Sequence, residues 1–380
     1  MRKQLILVAV VAMLAALAAP SAAKPSRNLI VGIFDEPSTL GNPDWAFPQY
    51  KSLGVEALRV NLYWGGPTGV AHRRRPAHAV DPADPAYDWA TYDAMVKRAK
   101  ENGIKPVFSI LWTPGWAGPA KNHAPRRMLD LRNFAYAAAK RYSGSFRPVT
   151  DGPPLPAVRH WIAWNEPNNP VFLKPQFVKI GPRKYRLASP GTYAKMCNAT
   201  WSGVHLTGLR GEKVACGATS PRGNNSGTLP RASLSPLPFL RGMKKGHAKF
   251  DVYAHHPYYQ HPNEPPNRPP PGSRAITLGN INELIRELTR LYGHKRLWIT
   301  EYGYQTNPPD GVFGVSWKKQ AEYLRQAFEI ARANPSIDLF TWFMLKDSPS
   351  PESWQSGLIT TDGRKKPAFA VFAGLRADSL

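Results

Sequence analysis

Short apolar runs alternate with helical patterns along most of the chain. The runs are Leu29–Phe34, Ala57–Leu62, Pro106–Leu111, His160–Trp164, Val214–Ala218, Asp251–Ala254, Leu297–Thr300 and Leu339–Phe343. Each is bounded by Gly, Pro, Asn or charged residues, as strands buried on both faces usually are. Between them the spacing predicts helices over Tyr92–Asn102, Leu131–Tyr142, Leu278–Tyr292, Trp317–Ala333 and Pro367–Leu375. The third carries Ile281, Leu284, Ile285, Leu288 and Leu291 on one face, and Gly293 follows it. Eight strand–helix units without a break in composition predict a single (β/α)8 barrel over residues 24–380. Pro119–Pro125, Thr150–Pro156, Pro170–Pro190 and the Pro- and Asn-rich Gln260–Arg274 read as insertions. Those that follow strands belong on the barrel's C-terminal face, where barrels bind ligands.

The N-terminus has a different pattern. Arg2 and Lys3 precede an apolar run from Leu5 to Ala19, and Ser21-Ala22-Ala23 follows. The run is too short for a comfortable bilayer span and matches a secretory signal spanning residues 1–23. It predicts a secreted or extracellular protein, or one held in the periplasm or at the cell wall, without a membrane span. Hydrophobic residues make up 42% of the 380-residue chain, which excludes global disorder. Only two cysteines are present, so no disulfide framework is needed; Cys197 and Cys216 either pair or are two buried thiols. With no histidine pair nearby they do not make a zinc site. His-Glu-x-x-His, Gly-x-Ser-x-Gly and Walker sequences are absent.

Fifty Lys and Arg against 26 Asp and Glu give a net charge of +24. That field suits an acidic polysaccharide or an anionic envelope. It also reads as basic residues scattered over a solvated surface, since only Arg73-Arg74-Arg75 forms a tight run. A specific nucleic-acid site is not expected, because basic clusters interleaved with aromatics are missing.

Candidate chemistry lies where strands meet their following loops. Trp161-Ile162-Ala163-Trp164-Asn165-Glu166-Pro167-Asn168 closes the fourth run, and Leu297-Trp298-Ile299-Thr300-Glu301-Tyr302-Gly303 closes the seventh. The two glutamates are 135 residues apart, three units of roughly 45 residues each in an eight-unit barrel. Two carboxyl groups flanking a sugar bond are the minimum machinery for glycoside hydrolysis, one holding a proton and the other staying ionised.

Trp-Asn-Glu-Pro-Asn followed by Thr-Glu-Tyr-Gly resembles the retaining clan A glycoside hydrolases, the cellulase and β-xylosidase superfamily, over essentially the whole chain after residue 23. The resemblance implies Glu166 as acid/base and Glu301 as nucleophile. It further implies that Asn165 contacts the sugar 2-hydroxyl, that His256-Pro257-Tyr258 is the strand-six substrate-binding motif with the Tyr258 hydroxyl held near the nucleophile, that Arg59 lies on strand two, and that Trp342 lies under the sugar. Gly357-Leu358, Asp362-Gly363 and Lys366-Pro367-Ala368 are similar to the clan's closing segment. Physical chemistry agrees: a cationic Arg59 beside Glu301 favours its charged form, while partial burial and a neighbouring ionised Glu301 raise the pKa of Glu166. Many clan members have a histidine after strand three. Here Trp112-Thr113-Pro114-Gly115-Trp116 stands there, and Trp112 and Trp116 are expected to form an aromatic wall for the apolar faces of a sugar. The reading needs no metal and no cofactor. Its partner is a poly- or oligosaccharide, with the net charge suiting an acidic one, and the protein is expected to act as a monomer. A catalytically silent carbohydrate-binding barrel and a transglycosylase are the alternatives; the presence of both glutamates argues against the first.

Overall fold

The computed structural model describes residues 29–272 and 274–375. The signal-like segment lies outside them. Eight parallel strands close into a barrel: β1 (Ile30–Phe34), β2 (Ala57–Tyr63), β3 (Lys105–Leu111), β4 (His160–Ala163), β7 (Lys213–Thr219), β8 (Val252–His255), β9 (Arg296–Tyr302) and β10 (Ile337–Trp342), the last pairing with β1. All eight predicted runs are strands of this barrel. The remaining two strands, β5 (Phe177–Gly181) and β6 (Lys184–Leu187), form an antiparallel hairpin after β4, within a stretch expected to be a plain insertion.

The helices are α1 (Glu36–Gly41), α2 (Pro43–Ser52), α3 (Ala90–Glu101), α4 (Met128–Arg141), α5 (Ser189–His205), α6 (Pro236–Lys245), α7 (Ile281–Tyr292), α8 (Trp317–Ala333) and α9 (Pro367–Gly374). Five match predicted helices. One of them, α7, begins three residues late, because Leu278–Asn280 forms a 3-10 turn in which Thr277 and Asn280 make a reciprocal cap. The apolar face of α7 is buried at Ile281, Leu284 and Leu288. No helix of the described residues is long and apolar enough to cross a membrane.

Alternation along the strands divides the core in two. Ala57, Val107, Ile162, Ala215, Val252, Ala254, Trp298 and Leu339 fill the lumen, where three alanines make room for the Trp298 indole. Their neighbours in sequence point outward into the much larger layer between strands and helices. In that layer α4 and α5 pack closely, with Gly203 of α5 against Ala135 of α4, and a Cβ on Gly203 would come within 2.3 Å of the Arg132 carbonyl. Cys197 on α5 and Cys216 on β7 form a disulfide, so the pair is joined rather than two free thiols.

Candidate active site

At the C-terminal mouth of the barrel the inward positions become polar. Arg59 follows Ala57 on the lumen side of β2 and is fully buried. A guanidinium removed from water is costly unless its donors are used, and here they are. Nε donates to Ser109 Oγ (3.1 Å) and Nη2 to Asn165 Oδ1 (2.6 Å). Nη1 donates to the Thr300 carbonyl (3.0 Å) and to Glu301 Oε1 (2.5 Å). The Phe34 ring lies 4.3 Å below the guanidinium carbon. One side chain thus fixes the ends of β2, β3, β4 and β9 relative to each other.

Strict alternation would turn Thr300 and Glu301 to opposite faces. The register between β9 and β10 shifts so that Ile299–Tyr302 spans the same interval as Phe340–Trp342, which gives β9 one extra residue. Such a bulge re-aims a side chain. Both Thr300 Oγ1 and the Glu301 carboxylate consequently reach the mouth, where Tyr258 donates to Glu301 Oε2 (3.2 Å).

Glu166 is held by backbone instead of by a strand. Trp164 and Glu166 have φ of 73° and 35°, and Trp112 and Ala218 at neighbouring strand ends have 65° and 42°. Left-handed φ at such residues costs about 1–3 kcal/mol each and persists where surrounding contacts impose it. Here the Glu166 N–H donates to the Ala218 carbonyl (2.9 Å) and Asn169 Nδ2 donates to Glu166 Oε2 (2.9 Å). Burial pushes the Glu166 carboxyl up to about 7. Asn169, Arg59 and Arg222 pull the other way, so burial is the cause, without the contribution expected from an ionised Glu301.

His256 continues the inward side of Val252 and Ala254, while His255 turns outward to Thr219 and the Ile276 carbonyl. Burial lowers the His256 pKa to about 3, so the imidazole is neutral. Its Nε2 lies 3.0 Å from the Thr300 hydroxyl, which can donate to it, and 3.3 Å from the Arg59 Nη1, which carries no acceptor. That network assigns the ring proton to Nδ1, which donates to Glu166 Oε1 (3.1 Å). Glu166, His256 and Glu301 each offer an atom within 4.8 Å of the others. These are also metal-ligand types, but Arg59 already supplies the countercharge of Glu301.

The structure therefore brings Arg59, Asn165, Glu166, His256, Tyr258 and Glu301 into one constellation. The aromatic expectations fare differently. Trp342 is fully buried, its indole N–H on the Ser356 carbonyl, so it presents no ring face to a sugar. The reason is register: Trp342 pairs with Tyr302 inside the sheet, and the next residue, Phe343, is the partly exposed ring at the mouth, packed against Phe34 and Trp354. Trp112 and Trp116 remain half-exposed but are already engaged. Trp112 stacks on Phe172 with Lys121 over its ring, and Trp116 lies under Arg75 with its N–H on the Ala71 carbonyl. The ring that sequence reasoning missed is Trp354, 41% exposed and 5.5 Å from Tyr258. Asp347 in the same loop is structural, paired with the buried Lys366 (2.8 Å).

Comparison with known proteins bears on this barrel. A family model described as "Glycosyl hydrolase catalytic core" matches residues 238–372, a stretch that contains Glu301 but not Glu166. No curated protein sequence matches the chain. Among solved structures, a glucosidase from Croceicoccus marinus superposes with a TM-score of 0.67 at 16% identity, over 94% of this chain and 68% of that one. A β-xylosidase from Caulobacter crescentus gives 0.62 at 18% identity, over 94% and 69% of the two chains. A family 1 β-glucosidase from Thermotoga maritima gives 0.56 at 12% identity, over 94% and 99%. At such identities the superpositions establish the (β/α)8 fold of these glycosidases. Together with the catalytic-core match over residues 238–372, they support reading the chain as a glycoside hydrolase, without selecting a family.

Proposed function

We propose that the protein is an exported retaining glycoside hydrolase that cleaves O-glycosidic bonds in a poly- or oligosaccharide by double displacement. The observation that carries this reading is a carboxylate pair whose oxygens approach within 4.8 Å in opposite surroundings. Retaining enzymes hold the two carboxyl groups about 5–5.5 Å apart, whereas inverting ones leave about 6.5–9.5 Å for a water. Glu301, charge-paired to Arg59 and steadied by Tyr258, attacks the anomeric carbon. Glu166, with its raised pKa, gives its proton to the departing glycosidic oxygen as that bond breaks. In the second step Glu166 takes a proton from water, whose oxygen displaces Glu301 from the sugar. The Asn165 carbonyl oxygen is occupied by Arg59, which leaves its NH2 to donate to the sugar 2-hydroxyl. Following the anomer first released from an aryl glycoside by NMR tests the reading: retention is expected, and inversion overturns it.

Export rests on the signal-like N-terminus and on the Cys197–Cys216 disulfide, a bond characteristic of oxidising compartments. Sequencing the N-terminus of material recovered outside the cytoplasm tests it, with Lys24 expected first.

A further inference from the structure

The charge of the chain is not spread evenly. Between residues 167 and 250 there are fourteen Lys and Arg and a single acid, Glu212, while the rest of the chain holds 36 basic and 25 acidic residues. Glu212 precedes β7, at the opposite end of the barrel from Glu166, and is buried. This stretch supplies the loop after Glu166, the β5–β6 hairpin and the loop between β7 and α6.

These pieces are joined into one rim beside Glu166. Asn168 accepts from the Ser220 N–H (2.9 Å) and donates to the Leu234 carbonyl (2.8 Å), tying both ends of the β7–α6 loop to the Glu166 loop. Gln176 holds the base of the hairpin through the Pro167 carbonyl and the Ala188 N–H. The Tyr185 ring lies against Gly227, where an added Cβ would approach it to 2.5 Å. On this rim Lys174, Lys179, Arg183, Lys184, Arg186 and Arg222 are all exposed, and among the described residues none has a carboxylate partner. Some surface arginines elsewhere do, Arg75 with Asp130, Arg98 with Asp44 and Arg296 with Asp338, while Arg73, Arg74, Arg126 and Arg147 do not. Arg222 stands near enough to Glu166 to act on its carboxyl, and its own hydrogen bond is a long one to Gln260 (3.4 Å). Lys179 pairs with Tyr185 and Arg186 with Val178, so the hairpin carries cations on both its faces, and repulsion among neighbouring cations is relieved when an anion settles between them.

We infer that this rim is a cationic subsite that binds the carboxylate or sulfate groups of an acidic polysaccharide on the leaving-group side of the scissile bond. The assignment of that side rests on Glu166 being the acid/base. Glycan is favoured over nucleic acid because the rim offers bases no stacking platform: the hairpin's one exposed aromatic, Tyr185, is packed on Gly227. The exposed Val178, Ile180 and Leu187 interleave with the cations and suit the apolar faces of sugar rings.

The test measures binding without turnover, using the full chain with Glu301→Ala and three soluble polymers: sodium polygalacturonate, dextran sulfate and carboxyl-reduced polygalacturonate. At least one acidic polymer is expected to bind about tenfold or more tightly than the neutral one, with affinity falling as salt rises from 50 to 500 mM. The uronate and sulfate arms distinguish which anion is read. Adding Lys179→Gln, Arg183→Gln, Lys184→Gln and Arg186→Gln removes about tenfold or more of that preference. A charge-matched control with Lys213→Gln, Lys244→Gln, Lys245→Gln and Lys249→Gln, at the other end of the barrel, retains it. Equal loss in the two quadruple variants, equal binding of the neutral polymer, or tighter binding of duplex DNA than of either acidic polymer overturns the inference. Turnover of neutral aryl glycosides by the unaltered protein reports on the hydrolase reading separately, so the two can fail independently.

Discussion

Glu166 and Glu301 share one cleft, yet they are held in different ways. Glu301 sits on a strand, re-aimed by a bulge, with one oxygen on the Arg59 guanidinium and the other on the Tyr258 hydroxyl. Glu166 sits on a turn with left-handed φ, contacts a side-chain amide and a neutral imidazole, and has its nearest arginine committed elsewhere. In the proposed mechanism, this difference lets two identical side chains, with an oxygen of each within 4.8 Å of the other, take opposite parts. Glu301 has a contacting cation, whereas Glu166 is buried without one and holds a proton more readily. Burial supplies the proton affinity of Glu166, and Arg59, by serving Glu301 and Asn165, keeps the two carboxylates from competing for a single countercharge.

The largest expected effect comes from removing the charge-paired member. Glu301→Ala lowers kcat by about 10⁴-fold or more on every glycoside, because no covalent intermediate forms. Glu166→Ala costs about 10²–10⁴-fold on substrates with poor leaving groups and much less on activated aryl glycosides, which leave without protonation. Azide then restores turnover in Glu166→Ala, attacking the intermediate without a general base. Steady-state kinetics on one activated and one unactivated substrate, with and without azide, measure both. An identical response from the two variants breaks the comparison.

The legibility of these features in the sequence follows how local their causes are. The eight strands were readable because each is buried on both faces and so appears as an unbroken apolar run between Gly, Pro and Asn. The helix α8 was readable from its stop, Asn334-Pro335. By contrast α5 opens with Ser189-Pro190-Gly191 at the end of a proline-rich stretch, and the hairpin has only four- and five-residue strands with no buried face, so periodicity said little of either. Glu166 and Glu301 were legible because an apolar run stops at each, whereas Arg59, Asn165, His256 and Tyr258 were named through the resemblance to clan A glycoside hydrolases. Trp342 was misplaced, since whether it or Phe343 faces the mouth depends on where β10 ends against β9, a tertiary matter. Trp354 lies in a loop, where no local rule marks an exposed ring. The basic rim was present in the composition but invisible as a cluster until the hairpin and the β7–α6 loop were seen joined.

Arg59 can be tested as the hub of this asymmetry. Arg59→Met leaves Glu301 buried without its cation and Asn165 unoriented. Loss of one partner of a buried pair costs about 3–5 kcal/mol, to be read in a urea titration alongside a fall in kcat. Activity that survives with only the stability loss would make Arg59 a structural residue alone.

The smallest effect separates burial from neighbouring charge at Glu166. In the proposed mechanism this carboxyl is protonated at the first step, so kcat/KM is expected to fall as pH rises through about 7. Arg222 acts against burial by favouring the charged form, and it does so from an exposed position across solvent. Arg222→Gln removes that influence while leaving the backbone ties of Ser220 and Leu234 to Asn168 in place. The alkaline limb of the kcat/KM profile therefore moves to higher pH in Arg222→Gln, measured on a small neutral aryl glycoside, and the shift shrinks at high salt as screening weakens the influence of Arg222 in the parent. A limb that does not move leaves burial as the sole control of the proton on Glu166. A limb that moves to lower pH reverses the sign assigned to Arg222, and the rim then acts on Glu166 through structure instead of charge.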